Sequence, residues 1–377
     1  MKIDDFGVEM WLNEHETHCR YNLSETCALP LTLGELADMT CGRGALADDI
    51  MKIKLDYGDI TGSERLRELI AGLYGSVSAD RVTIAHGAIG ANALVLMSLI
   101  SAGDKVVCVV PAYQQHYSLP SSIGADISFV YLKEENGWQV DLDELAEAVG
   151  TDTRAVCINN PDNPTGSVMD EKILKAIADI CARSGAWLLC DEAYRGLNYY
   201  GEPFGVSAVD LYEKAVVTGS MSKTFSLAGV RLGWIAGPRE VIDDINRYRD
   251  YHIISVGKID DLISCLALEN RDMLSRRNAD ICRENEQTVS DWVDSERGFS
   301  YVRPHAGTTA FIRFDLDMGS EELCERAQNE AGVMFVPGSA FGYDDHFRLG
   351  FGRENEMIRS GLQAFSEWLV RIRQQYK

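Results

Sequence analysis

The chain has 377 residues; at roughly 150 residues per folding unit, this predicts two or three units rather than one. Lys and Arg number 36 against 58 Asp and Glu, a formal net charge of −22, which excludes the basic footprint of a nucleic-acid binder and would be repelled by an anionic membrane. An apolar share of 46% beside a charged share of 25% provides for a sizeable core.

The opening stretch MKIDDFGVEMWLNEHETH has acids where a secretory leader needs a basic start and an apolar run, so a cytoplasmic location is expected. The longest apolar stretches, such as AIGANALVLMSLI, are shorter than the roughly 20 residues that cross a bilayer. Ten cysteines run from Cys19 to Cys324 without a CxxC pair and read as reduced, buried thiols. No His or Cys cluster has zinc spacing, so no metal is expected. Gly42-Arg43-Gly44 followed by Ala47 imitates a dinucleotide fingerprint, but the stretch before it is not a strand.

Residues 1–45 are expected to join a smaller unit in space. From there to about residue 270, helix-like and strand-like stretches alternate. SERLRELIAGLY has apolar residues at helical spacing, RVTIAHG is a β-rich run, and ALVLMSLISAG is a helix closed by glycine. KVVCVVPAY, ISFVYL, AVCINNP, AWLLCDEAY and AVVTGSMS are compact strands, several nearly all apolar, as strands buried on both faces should be. Helices such as DEKILKAIADICARSG separate some of them. The alternation predicts an α/β unit over 46–270, a mainly parallel sheet with helices on both sides. Over 271–377 a charged helical stretch precedes the weaker strands TAFIRFDL, VMFVPG and HFRLGFG and a final helix, which predicts a smaller α+β unit.

Ligands of an open parallel sheet sit beyond the carboxyl ends of its strands. The residues that follow each apolar run are therefore the informative ones. Gly87, Ala88 and Ile89 open a helix after RVTIAH, where backbone N–H groups can hold a phosphate. Tyr113, Asn163, Asp191 with Tyr194, and Ser220, Ser222 and Lys223 with Arg231 follow the next runs. Pyridoxal phosphate asks for such a set: a lysine amine for a Schiff base, an anion for its pyridine nitrogen and a cup for its phosphate. Lys223 supplies the amine and Asp191 the anion. Ser220, Arg231 and the Gly87–Ile89 backbone supply the cup. Tyr113 offers a ring face, and Asn163 and Tyr194 offer donors to the phenolic oxygen. His116 and Tyr117 stand close enough in sequence either to line the pocket or to be buried beside it.

GSMSKTFSLAGVRLGW, NNPDNPTG, CDEAY and YGDITGSERLRELIAGLY resemble, in order and spacing, the class I/II aminotransferases, the fold-type I pyridoxal-phosphate enzymes. The resemblance runs from about residue 50 to the end of the chain. It implies Lys223 as the Schiff-base lysine, Asp191 as the pyridinium partner, and Asn163 and Tyr194 beside the phenolic oxygen. Ser220 and Arg231 would bind the phosphate, and Arg348 in HFRLGFG would grip the substrate α-carboxylate. Tyr57 would reach the phosphate of a neighbouring subunit, which implies a homodimer. The implied reaction moves an amino group between an amino acid and a 2-oxo acid, with Lys223, Asp191 and Tyr194 at its centre.

The same apparatus can run elimination or cyclisation, because the cofactor holds the chemistry and the protein selects the bond. RYNLSETCALPLTLGEL is similar to the N-terminal part of capreomycidine-synthase-type enzymes, which places Glu25 as a candidate for addressing a cationic substrate side chain. C–S lyase chemistry, or a non-catalytic regulatory role for the same fold, is equally compatible with these motifs. Side-chain selection is expected from the N-terminal segment, from Gln115–Ser118 and from Tyr251–Ser255 of a partner.

Overall fold

The computed structural model describes residues 2–375. Its main sheet holds the apolar runs of the middle of the chain. The strands, in chain order after a two-residue β1 (Tyr21–Asn22), are β2 (Val82–Ala85), β3 (Lys105–Val110), β4 (Asp126–Tyr131), β5 (Thr153–Asn159), β6 (Trp187–Asp191), β7 (Ala215–Ser220) and β8 (Gly233–Ala236). They lie side by side in the order β2-β8-β7-β6-β5-β3-β4. Every neighbouring pair is parallel except those made by β8, which runs antiparallel to both β2 and β7. The sequence GWIA does not announce this strand: four residues that begin with a glycine have too little periodicity to show one. The inner strands are buried along their whole length, β6 and β7 at every residue, so they have no polar face to display an alternating pattern.

Helices cover the sheet, and their starts follow local chemistry. Asp170 accepts the Ile173 N–H ahead of the helix Glu171–Ser184, which ends on Gly185 in the left-handed region. Thr32 and Glu35 form a reciprocal capping box at Leu33–Met39. The helix Gly87–Leu99 differs, because His86 at its cap position puts no side-chain acceptor on the first N–H groups.

The C-terminal part carries an antiparallel sheet of four strands: β9 (Phe299–Tyr301), β10 (Thr309–Phe314), β12 (Val336–Pro337) and β13 (His346–Gly350), ordered β12-β13-β10-β9. Between them β11 (Val333–Met334) pairs in parallel with β1. The long helix Arg271–Ser295 and the final helix Asn355–Gln375 pack on this part. The N-terminal helix Gly7–His15 is tied here by the Trp11 indole, which donates to the Phe335 carbonyl at 2.8 Å. From β1 the chain crosses to the main sheet. Gly350 N–H donates to the Leu23 carbonyl at 2.8 Å, and Leu31 N–H donates to that of Ser226 at 3.2 Å. Residues 23–31 thus run past the segment that carries Lys223.

Candidate active site

A cavity of about 280 Å³ opens where the carboxyl ends of the central strands meet the start of the Gly87–Leu99 helix. Ala88, Ile89, Tyr113, Asn163, Asp191, Tyr194, Ser220, Ser222, Lys223, Arg231 and Arg348 line it, so residues spread over more than 250 positions of sequence share one wall. Each side chain reaches it by a local device. Asp191 closes β6 and Ser220 closes the adjacent β7. Gly233 pairs with both Ala85 and Ser220, bringing the first helix turn against the serine loop. A Cβ on Gly233 would collide with the Gly87 carbonyl group, which explains the bare backbone there.

Asp191 is 7% exposed. Its Oδ2 accepts from the Asn92 amide at 2.7 Å and lies 3.2 Å from His116 Nε2, while Oδ1 accepts the Ala193 N–H at 2.9 Å. Burial by itself would raise this carboxyl. The hydrogen bond and electrostatic pull of His116, with the Asn92 amide and the Ala193 N–H, outweigh burial and hold it below the ordinary aspartate value. Thr218 in turn donates to Asn92 Oδ1 at 2.6 Å, which fixes the amide so that its NH₂ faces the carboxylate. The arrangement maintains a buried anion, the form that can hold a ring nitrogen protonated.

Lys223 is half-buried, and its Nζ donates to Thr26 Oγ1 at 2.5 Å. Ser220 Oγ accepts the Ser222 N–H at 2.9 Å. Arg231 holds a left-handed backbone (φ +51°) and donates from Nη1 to the Ala228 carbonyl and, at 3.4 Å, to Ser222 Oγ. A non-glycine residue in that region is strained, a feature that collects at functional sites. Its Nη2 lies only 2.7 Å from where a Cβ on Gly87 would stand (φ +68°), so the guanidinium and the uncapped helix start form one anion cradle.

Arg348, in β13, is 3% exposed. It donates to Asn163 Oδ1 at 3.1 Å and to the Ser24 carbonyl at 3.4 Å, and its Nε is buried with no partner. Desolvation lowers its basicity, and the charges of Tyr194, Glu9, Tyr113 and Glu25 act in the other direction.

Other sequence-predicted residues lie elsewhere. Glu25 is not in the cavity wall: its Oε1 accepts the N–H groups of Thr26 and Cys27, both at 2.8 Å, so the carboxylate turns its own chain. Gln115–Ser118 do not line the cavity either. His116 is buried behind Asp191, and the Tyr117 ring packs edge-on to Phe129 at 5.5 Å. Tyr57 is 76% exposed and stands away from the cavity of its own chain. Glu9, Thr26 and Asn92 line the cavity although the sequence reading does not single them out. Asn92 has a readable signal, a lone amide within the apolar AIGANALVLMSLI. Glu9 and Thr26 have none, because they arrive through the fold of the N-terminal segment.

The donor set fits pyridoxal phosphate on these observations: a half-buried amine, a buried carboxylate kept ionised, and a cradle that a side chain at Gly87 would fill. Fold and site together define a pyridoxal-phosphate-dependent enzyme class. The model of the aminotransferase class I and II family matches residues 30–365, and the chain belongs to that family. It is 31% identical over 363 residues to a capreomycidine synthase of Streptomyces vinaceus, covering 96% of this chain and 93% of the relative. The crystal structure of a PLP-dependent aminotransferase from Streptococcus suis superposes with a TM-score of 0.95 at 38% identity, over 98% of this chain and 99% of that one. A PLP-dependent cyclase, OrfR, superposes with a TM-score of 0.90 at 28% identity, over 98% of each chain.

Proposed function

We propose that the protein transfers an amino group between an L-amino acid and a 2-oxo acid, using pyridoxal phosphate held by Lys223. The observation that carries this reading is the convergence of Lys223, Asp191, Arg231 and Arg348 on one cavity. When bound, pyridoxal phosphate supplies an electron sink for the bonds at the substrate Cα. Arg231, Ser220, Ser222 and the N–H groups at the start of the Gly87–Leu99 helix hold its phosphate. Asp191 faces its ring nitrogen, Tyr113 its ring face, and Asn163 and Tyr194 its phenolic oxygen. Arg348 binds the substrate carboxylate and so fixes which Cα bond points at Lys223. Freed by the incoming amine, Lys223 Nζ takes the Cα proton and returns it on the other side of the transfer, a positioned step worth about 10²–10⁴-fold.

Elimination followed by cyclisation is the second reading, supported by the likeness to a capreomycidine synthase and to a cyclase structure. Thr26 beside the lysine amine is a further hydroxyl at the position where a leaving group would need a proton. The two readings separate in one experiment. Holoprotein is incubated with each amino acid without an oxo acid, and cofactor form, ammonia and product mass are followed. Pyridoxamine phosphate in stoichiometric amount supports transfer. Ammonia release, or a product lighter by one water with the cofactor retained, supports elimination or cyclisation and refutes transfer.

The assembly we infer is a homodimer. Leu55, Tyr57, Ile60, Tyr251 and Ile254 are exposed large apolar side chains on this chain. The segments that bear them adjoin through the Lys258–Asp56 ion pair. Such a patch calls for cover. Light scattering giving a single-chain mass at micromolar concentration would refute the dimer.

A further inference from the structure

Five charged side chains line the cavity: Glu9, Asp191, Lys223, Arg231 and Arg348. On the proposed reading four of them are committed. Lys223 holds the cofactor, Asp191 its ring nitrogen, Arg231 its phosphate and Arg348 the substrate carboxylate. Glu9 remains. Its carboxylate accepts the Tyr113 hydroxyl at 2.6 Å, and among the described residues no Lys, Arg or His forms an ion pair with it.

Its placement is held from several sides. The Gly7 N–H donates to Gln114 Oε1 at 2.8 Å, and the Gln114 amide donates to the Asp5 carbonyl at 2.8 Å. The Phe6 and Tyr113 rings lie 4.7 Å apart. The start of the Gly7–His15 helix is therefore pinned to the loop that carries Tyr113, and Trp11 anchors its next turn to Phe335. Glu9 sits on a fixed support in the cavity wall, with Val8 and Leu12 beside it.

Charge then selects among side chains. An acidic side chain entering here would meet Glu9 and find no uncommitted cation on this chain. A neutral one would bury the carboxylate without a charged partner, which is costly. An ammonium or guanidinium group supplies the missing partner, and in a desolvated cavity such a charge-assisted bond is strong. We propose that Glu9 is the specificity residue of this site and binds the cationic end of a basic L-amino acid. This rests on the reading of the site as one for amino-acid chemistry.

The test compares isosteric pairs, arginine with citrulline and lysine with norleucine, on holoprotein and its Glu9→Gln variant. Glutamine can still accept the Tyr113 hydroxyl, so the helix start keeps its support. The wild type is expected to favour the cationic member of each pair. Glu9→Gln is expected to lower the kcat/KM ratio of cationic to neutral partner by about 10- to 100-fold, the range for one hydrogen bond to a charged group. Calorimetry on borohydride-reduced holoprotein, which binds substrate without turnover, should show the same collapse in the ratio of dissociation constants. Glu9→Asp should restore part of it. A ratio that Glu9→Gln does not move, or a wild type that favours aspartate, overturns the assignment and leaves the amino-acid reading intact. A holoprotein whose visible absorbance responds to no amino acid overturns both.

Discussion

Arg348→Lys isolates the geometry of carboxylate binding from its charge. A guanidinium has five N–H donors. Asn163 and the Ser24 carbonyl take two of them, leaving three, among them the buried Nε–H. A carboxylate can therefore be met by parallel bonds from a planar fork. Lysine keeps the positive charge but presents its donors from one atom, so one charge-assisted bond is lost. Such a bond contributes about 1.5–3 kcal/mol, and solvent does little to screen it because Arg348 is 3% exposed. The expected loss in kcat/KM is about 10- to 100-fold for an amino acid. The assay sets the preferred amino acid against the amine that lacks its carboxylate. The amine should lose little, because it never used the fork. An equal loss for both compounds, or none for the amino acid, would refute the reasoning.

Two further predictions concern the cradle and the buried acids. Gly87→Ala places a side chain at φ +68° and 2.7 Å from Arg231 Nη2, at a backbone cost of about 1–2 kcal/mol; the dissociation constant for pyridoxal phosphate, titrated by absorbance, should rise about tenfold, and an unchanged value would contradict the cradle. Burial pushes the Asp162 carboxyl up to about 7, so its contribution to stability is fully present below about pH 4, the ordinary aspartate range, and is lost as pH rises through 7. Asp162→Asn is neutral throughout and should gain on the wild type between pH 4 and 8 in thermal melts, whereas parallel curves would show that the buried carboxyl carries no such penalty.

Much of the site is legible in the sequence because strand ends are punctuated. Lys223, Asp191, Asn163 and Arg231 each follow an apolar run, and an open parallel sheet must gather such positions at one edge. The same logic yields the sheet, because fully buried strands announce themselves as unbroken apolar runs. β8 escapes it since four residues carry too little pattern, and its antiparallel direction depends on which neighbours it finds. Glu25 shows the limit from the other side: an acid in a suggestive stretch proves to be folded onto the N–H groups just after it.

Chain order and hydrophobic pattern alone thus determined the layered architecture and the chemical identity of most groups that wall the cavity. Tertiary structure alone decided which unlabelled residues join them. Asn92 and His116 set the charge state of Asp191 across 99 and 75 positions of sequence, and Glu9 reaches the cavity because Trp11 and Gln114 fix its helix there. The physical reason is range: propensity and periodicity act over a few residues, whereas the burial and pairing of a charge depend on whatever the rest of the chain brings beside it.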